Sequence, residues 1–289
     1  MNHSMLAKDL DKDHPLQGLL NKAAAFVPEN LYKKDEIYWF EKHYKLDQSS
    51  FFGSLSPSLK NDVLLDLNHK SLSLAHYIEK FGLNYGAKMI LNADTTEAKS
   101  LYALFSGDEV KHRLWIDQFI QRPVGLDIDF HPLLPALALC LEKGNYTATV
   151  FSIQVILEGF GLYHYFQLKE TCQNLALKEV FGQILKDETL HHGMGVAMMK
   201  SFTLDEETKE QITELTALFV KSLLEADWVL KSLRQIGGDL TSSQVKQFKD
   251  EIDYEKQLQL RVEKIKSLIQ KVGHQGLFEE LERRKIFKK

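Results

Sequence analysis

Glu158-Gly159-Phe160-Gly161-Leu162, followed by Asp187-Glu188-Thr189-Leu190-His191, decides how this chain reads, because an earlier segment repeats it. The first copy, Glu79-Lys80-Phe81-Gly82-Leu83 followed by Asp108-Glu109-Val110-Lys111-His112, lies 79 residues upstream. In each copy 30 residues separate the leading glutamate from the second one. Residues three apart on a helix share a face, so Glu109 with His112, and Glu188 with His191, each offer two donors to one point. Glu79 and Glu158 take matching places on two further helices. Carboxylate oxygen and imidazole nitrogen suit iron or manganese, and no thiolate accompanies them to favour structural zinc. Four carboxylates and two imidazoles with internal two-fold symmetry form the donor set of two iron ions inside a four-helix bundle. A lone Glu-x-x-His is expected about once by chance in a chain with 11 histidines. The joint recurrence of the upstream glutamate, Phe-Gly-Leu and the leading aspartate is what separates the pattern from chance. Isolated carboxylates in apolar stretches such as Ile156-Leu157-Glu158 are also costly unless paired or bound to metal.

Working outward, the punctuation is that of an all-helical chain. All six prolines lie at or before residue 135. Apolar residues at three- and four-residue spacing predict helix one over 58–92, then helix two over 95–121, with Asp94 or Thr95 as its cap. A linker with Pro123, Gly125, Pro132 and Pro135 follows, holding a short apolar helix near 133–142. Helix three is expected over 146–171 and helix four over 174–202. A fifth runs from Thr203-Leu204-Asp205 to about residue 236, ended by Gly237-Gly238, and a sixth from Thr241 to about residue 271, before a basic tail. The organisation is therefore an N-terminal extension (1–57) packing on a four-helix bundle (58–202), with a C-terminal hairpin and tail (203–289), in one compact domain.

Composition excludes several classes. With 289 residues and 44% hydrophobic content the chain can bury a substantial core. Thirty-six basic against 40 acidic residues, net −4, leave no basic stripe for nucleic acid. Cys140 and Cys172 form no Cys-x-x-Cys and no disulfide framework, which points to a reducing cytoplasm. Met1 to Lys12 reads as no signal peptide, and the longest apolar run, Leu133 to Leu141, is too short for a membrane span.

The six-donor pattern resembles the ferritin-like di-iron carboxylate superfamily over about residues 58–202. The resemblance implies that Glu79 and His112 bind one iron, Glu158 and His191 the other, and that Glu109 and Glu188 bridge. Asp108 and Asp187 match aspartates of bacterial multicomponent monooxygenase hydroxylases that hydrogen-bond the histidines, implying the pairs Asp108–His191 and Asp187–His112. Ile116 stands where ribonucleotide reductase small subunits usually place a radical tyrosine. Ile184 stands where arylamine N-oxygenases carry an extra histidine. Two cysteines cannot form a rubrerythrin's four-cysteine module, and bacterioferritins are far shorter. Lys186-Asp187-Glu188-Thr189-Leu190-His191, with Leu157-Glu158-Gly159-Phe160 before it, is similar to the aldehyde-deformylating oxygenases, whose pattern is absent from residues 1–55 and beyond 205.

The expected function is that of an oxygen-activating di-iron oxidase or monooxygenase acting on a small, apolar organic substrate. O2 is its co-substrate and a reductase or ferredoxin its electron donor. Alternatives are a ferroxidase or iron-binding protein, and a mixed manganese–iron oxidase on the same six residues. Gly82 and Gly161 read either as space beside the metals or as close helix contact. Phe105, Ile116, Leu83, Leu162 and Ile184 read as an apolar chamber or as ordinary core. His76 is a candidate seventh ligand or a hydrogen-bonded core residue, while His69, His164 and His192 read as bystanders. Tyr85, Tyr163 and Tyr165 could relay electrons or protons, or simply pack. Tyr38-Trp39-Phe40 with His43-Tyr44 reads as packing of the extension, or as a lid or reductase patch. Helices five and six read as a packed hairpin or a homodimer surface, and Arg283-Arg284-Lys285 as a solvated tail.

Overall fold

A computed structural model describes residues 9–11, 13–27, 29, 31–124, 131–225 and 227–288. The start of the polar N-terminal stretch, Pro28, Gly125 of the linker and the last lysine lie outside the described residues. Among the described residues the protein is all-helical, with no strand. The helices are α1 (Pro15–Ala23), α2 (Ser50–Ser54), α3 (Pro57–Asn92), α4 (Thr96–Asp117), α5 (Leu133–Lys143), α6 (Tyr146–Val150), α7 (Glu158–Thr171), α8 (Leu175–Ser201), α9 (Glu206–Leu224), α10 (Trp228–Gly237), α11 (Ser242–Glu251), α12 (Tyr254–Val272) and α13 (Gln275–Arg283). A π-helical segment, Phe151–Leu157, joins α6 to α7. None of the described helices is long and apolar enough to cross a membrane.

Local chemistry sets the helix starts. Ser56 accepts a hydrogen bond from the Leu59 N–H with Pro57 at the first helical position, so α3 begins where its prolines and serines say it should. Thr95 caps α4, Asn145 caps α6, Asn174 caps α8 and Asp205 caps α9, each through its side-chain oxygen. A Thr241–Gln244 capping box opens α11. The long helices α3 and α4 pack against each other, as do α7 and α8, and α4 meets α8.

Two apolar cores flank this arrangement. One gathers Tyr77, Phe81, Tyr85, Phe105, Ile156 and Leu157 with residues of α5, α9 and α12. The other gathers Leu72, Ala75, Ile116, Tyr165, Phe181 and Ile184 with Tyr38, Trp39 and residues of α10 and α11. The expected fifth and sixth helices differ from the structure for this reason. The fifth is divided between α9, whose Phe219, Val220 and Leu223 enter the first core, and α10, whose Leu230 and Leu233 enter the second. The sixth breaks at Asp253, in the left-handed region (φ 53°), so that Phe248 and Ile252 serve the second core and Val262, Ile265 and Ile269 the first. A straight helix could not reach both. Helix two ends at Asp117 rather than near residue 121.

The basic tail is not simply solvated. It forms α13 and folds back, with Arg284 paired to Glu210 and Glu280 and Phe287 joining the first core. The cysteines are free and buried. Residues 38–39 are clamped to α3 by buried Asn68, whose Oδ1 accepts from Tyr38 N–H (2.7 Å) and Trp39 N–H (2.9 Å) and whose Nδ2 donates to the Trp39 carbonyl (2.9 Å).

Candidate metal centre

Between the two cores lies a layer of buried charge. Glu79 comes from α3, Glu109 and His112 from α4, Glu158 from the first turn of α7, and Glu188 and His191 from α8. Five of the six are buried and Glu158 is partly so. Their donor atoms converge into two overlapping sets, Glu79–Glu109–His112–Glu188 and Glu109–Glu158–Glu188–His191, each with all atoms within 4.8 Å of one another. The two sets share Glu109 and Glu188.

Each histidine turns Nδ1 inward. His112 Nδ1 is 3.2 Å from Glu79 and 3.3 Å from Glu188, while His191 Nδ1 is 3.3 Å from Glu188 and 3.5 Å from Glu109. The outer nitrogens meet aspartates across the site: His112 Nε2 to Asp187 at 3.1 Å and His191 Nε2 to Asp108 at 3.4 Å. An aspartate on Nε2 fixes the orientation of each ring, so that Nδ1 is the nitrogen presented to the carboxylates and the one that could ligate a metal after giving up a proton.

So many carboxylates cannot all be ionised here without compensation. Burial, and then repulsion from the neighbouring glutamates, pushes Glu109 well above the usual carboxylate range, and burial with Glu188 does the same to Glu158. Glu188 goes the other way. Burial alone would raise it, but hydrogen bonds from Glu158, His112 and His191 outweigh that and hold it low. His112, which burial alone would lower, is raised well above its ordinary value by Asp187, Glu188 and Glu79. Glu109 Oε1 is buried without any hydrogen bond. An orphaned oxygen inside a cage of carboxylates held together by protons is a donor set that could hold a metal ion.

The repeat's two glycines are not equivalent. A Cβ on Gly82 would stand 2.8 Å from Glu109 Cγ and closer still to its carboxylate, whereas a Cβ on Gly161 meets nothing within 4 Å. Gly82 thus gives Glu109 its place, by close approach of α3 to α4.

Beside the cluster, between α3 and α7, is a small, mainly apolar cavity. Ile78, Phe81, Ile153, Leu157 and Tyr165 line it, Gly82 and Gly161 give it width, and Glu109, Glu158 and Glu188 form one wall. None of the five residues expected to form a chamber lines it. Phe105 instead stacks on His191 (3.9 Å between ring centres), and Ile116 and Ile184 belong to the second core. Those three lie on α4 and α8, the histidine-bearing helices, while the open side is the one bounded by the glutamate-bearing helices. His164 lines the cavity, and burial lowers it to about 3, so it is a neutral imidazole there.

His76 belongs to neither donor set. Its Nδ1 is hydrogen-bonded to Asp117 at 2.6 Å, with Asp9 at 3.7 Å from Nε2. Tyr163 is exposed. Tyr85 donates to Gln154 Oε1 (2.8 Å), as does Tyr102 (3.2 Å). Tyr165 donates a short hydrogen bond to Glu79 Oε1, and its own hydroxyl is pushed well above the usual range by burial and by that carboxylate.

Two features escaped sequence reasoning. One is the contact of Tyr165 with Glu79, made between different helices. The other is Gln154 in the π segment. Its Nε2 donates to the His191 carbonyl (3.0 Å) and its own carbonyl faces His192 Nδ1 (2.9 Å), tying the entry to α7 onto α8. All seven residues of the π segment are buried. Its position directly before Glu158 is the kind of site where π-helical turns accumulate. No protein-family model and no curated protein matches the chain, so the family resemblance stands on its residues and on this geometry.

Proposed function

We propose that the protein is an O2-activating, non-haem di-iron oxidoreductase, an oxygenase or oxidase of a small apolar organic substrate, built on a ferritin-like four-helix arrangement of α3, α4, α7 and α8. The observation that carries this reading is the pair of donor sets sharing Glu109 and Glu188. In it, Glu79 and His112 would hold one ion and Glu158 and His191 the other, with Glu109 and Glu188 placed to serve both. A bound di-iron pair supplies the two-electron reduction of O2.

The chain's own residues do the rest. Asp187 and Asp108 hold the histidine rings with Nδ1 inward. Burial keeps bulk water from the centre, and the apolar wall of Ile78, Phe81, Ile153 and Leu157 selects a greasy group and brings it against the glutamate side. Tyr165 fixes the orientation of Glu79 and offers it a proton. The apolar lining of that cavity, rather than the room it encloses, favours an organic substrate over the ferroxidase alternative, for which a lining of carboxylates leading outward would be expected. Mixed manganese–iron occupancy would use the same donors.

The test is anaerobic ferrous titration with metal analysis, then O2 uptake with and without medium-chain hydrocarbon probes. Two irons per chain, and O2 consumption coupled to probe oxidation when a reductant is present, support the reading. Continued uptake and oxidation of iron beyond two per chain favours a ferroxidase, and absence of binding refutes the metal assignment.

A further inference from the structure

From Glu79 a file of aromatic rings runs outward through the second core. Tyr165, hydrogen-bonded to Glu79, has its ring centre 5.5 Å from that of Phe181. Phe181 is 6.0 Å from Trp39. Trp39 is 5.8 Å from His43, His43 is 4.7 Å from Tyr44, and Tyr44 is 5.9 Å from Trp228. Tyr165, Phe181, Trp39 and Tyr44 are buried, and Trp228, at the start of α10, is only partly so. We infer that this file is an electron conduit between the protein surface at Trp228 and the proposed metal pair, with Tyr165 as its inner terminus. The inference rests on the di-iron reading above.

Phenol and indole are the side chains in this file that can lose and regain one electron; Phe181 and His43 bridge the gaps between Tyr165, Trp39 and Trp228, as does Tyr44, whose hydroxyl meets only Ser71 and Asn68 and so has no base to take its proton. The protons are accounted for as well. Oxidised tyrosine is strongly acidic, and the Tyr165 hydroxyl already donates to Glu79, so its proton has an acceptor in place. The Trp39 indole N–H donates to the Leu168 carbonyl (2.8 Å), which is no base, so Trp39 passes an electron without giving up its proton. In one inward transfer, Tyr165 would give up an electron inward, to bound metal in its oxidised state, and its proton to Glu79. An electron from Trp39 then reduces the phenoxyl, which takes the proton back. Trp39 is refilled from Trp228, and Trp228 from a one-electron carrier protein. The net result is one electron moved from carrier to metal pair, with no atom transferred.

The file is also held rigid. Asn68 pins the backbone of Tyr38 and Trp39, and the His43 Nδ1 sits 2.6 Å from Thr171 Oγ1 on α7. The aromatic segment that read in the sequence as packing or as a reductase patch thereby connects one to the other.

The experiment uses the full, metal-free chain, so that its outcome is independent of whether metal binds. A ruthenium polypyridyl photo-oxidant is attached to a Lys231→Cys variant. Residue 231 is exposed and lies one turn after Trp228, while both native cysteines are buried. After flash oxidation with an external quencher, we expect a tyrosyl radical by transient absorption and electron paramagnetic resonance that is lost in Tyr165→Phe. In Trp39→Phe and in Trp228→Phe the signal is expected to fall to the Tyr165→Phe background, with unchanged circular dichroism. Trp228→Phe leaves the buried core intact and so keeps the test valid if Trp39→Phe misfolds. A tyrosyl yield unaffected by either tryptophan substitution, or a radical that stays on Trp228, overturns the conduit. Metal stoichiometry, measured separately, decides the di-iron reading.

Discussion

Replacing Gly82 by alanine should cripple metal binding, whereas the same change at Gly161 should not, and neither change should unfold the chain. The two glycines occupy identical Phe-Gly-Leu settings in the repeat. At Gly82 the added methyl would lie 2.8 Å from Glu109 Cγ and nearer still to the carboxylate. Carbon atoms rest at about 3.5–4.0 Å, so the Glu109 side chain must retreat by roughly 1 Å. Glu109 belongs to both donor sets, so both proposed sites would be affected. Disturbing groups that only orient a metal ligand typically costs 10–100-fold in affinity, and here the ligand itself moves, so a loss of about 100-fold or more, roughly 3 kcal/mol, is expected. Helix propensity acts in the opposite sense and adds up to about 1 kcal/mol to fold stability in either variant. The assay is anaerobic ferrous titration by calorimetry or chelator competition, with thermal melts of the metal-free proteins alongside. Two sites of unchanged affinity in Gly82→Ala, or equal losses in Gly82→Ala and Gly161→Ala, would refute the reasoning.

Asp187→Asn removes the carboxylate that holds the outer nitrogen of His112, and should weaken metal binding by about 10–100-fold without unfolding the chain, as read by metal analysis after dialysis. Asn68→Ala strands the buried N–H groups of Tyr38 and Trp39, and should lower unfolding free energy by on the order of 3 kcal/mol in urea melts. Metal loading must displace protons from Glu109, Glu158 and His112, all raised in the metal-free protein. These groups are protonated at low pH and lose their protons as pH rises through the raised values, so affinity should climb with pH and protons should appear in weakly buffered titrations. Affinity independent of pH from about 5 to 8 would contradict the proton-filled cage.

The convergence of the six carboxylate and imidazole side chains was legible in the sequence because it obeys a local rule. Donors three apart on a helix share a face, and the repeat doubles the signal. The starts of α3, α4, α8 and α9 were legible for the same reason, since a cap acts within one turn. What the sequence withheld is non-local. Neither glycine nor proline marks the breaks between α9 and α10 and at Asp253; they exist because one stretch must fill two separate cores. The side on which the cavity opens depends on which helix pairs close tightly, so Phe105 and Ile184 look like chamber walls in the sequence and are packing in the structure. Tyr165 shows no periodic relation to Glu79, which lies 86 positions away on another helix.

The π segment makes the two halves of the repeat mechanically different. A helix advances about 100° per residue, and a π turn carries one residue more than an α turn. Residues ahead of the segment are therefore rotated by about that angle relative to those after it. Downstream, Glu158, Gly161 and Tyr165 look toward the carboxylate layer; within the segment, Ile153 and Leu157 share that cavity while Gln154 grips Tyr85, Tyr102 and the α8 backbone. A single rod thereby acts as two keys cut at different angles. Deleting one residue between 151 and 157 would realign them, so that the chain could seat its glutamate or its glutamine, and never both.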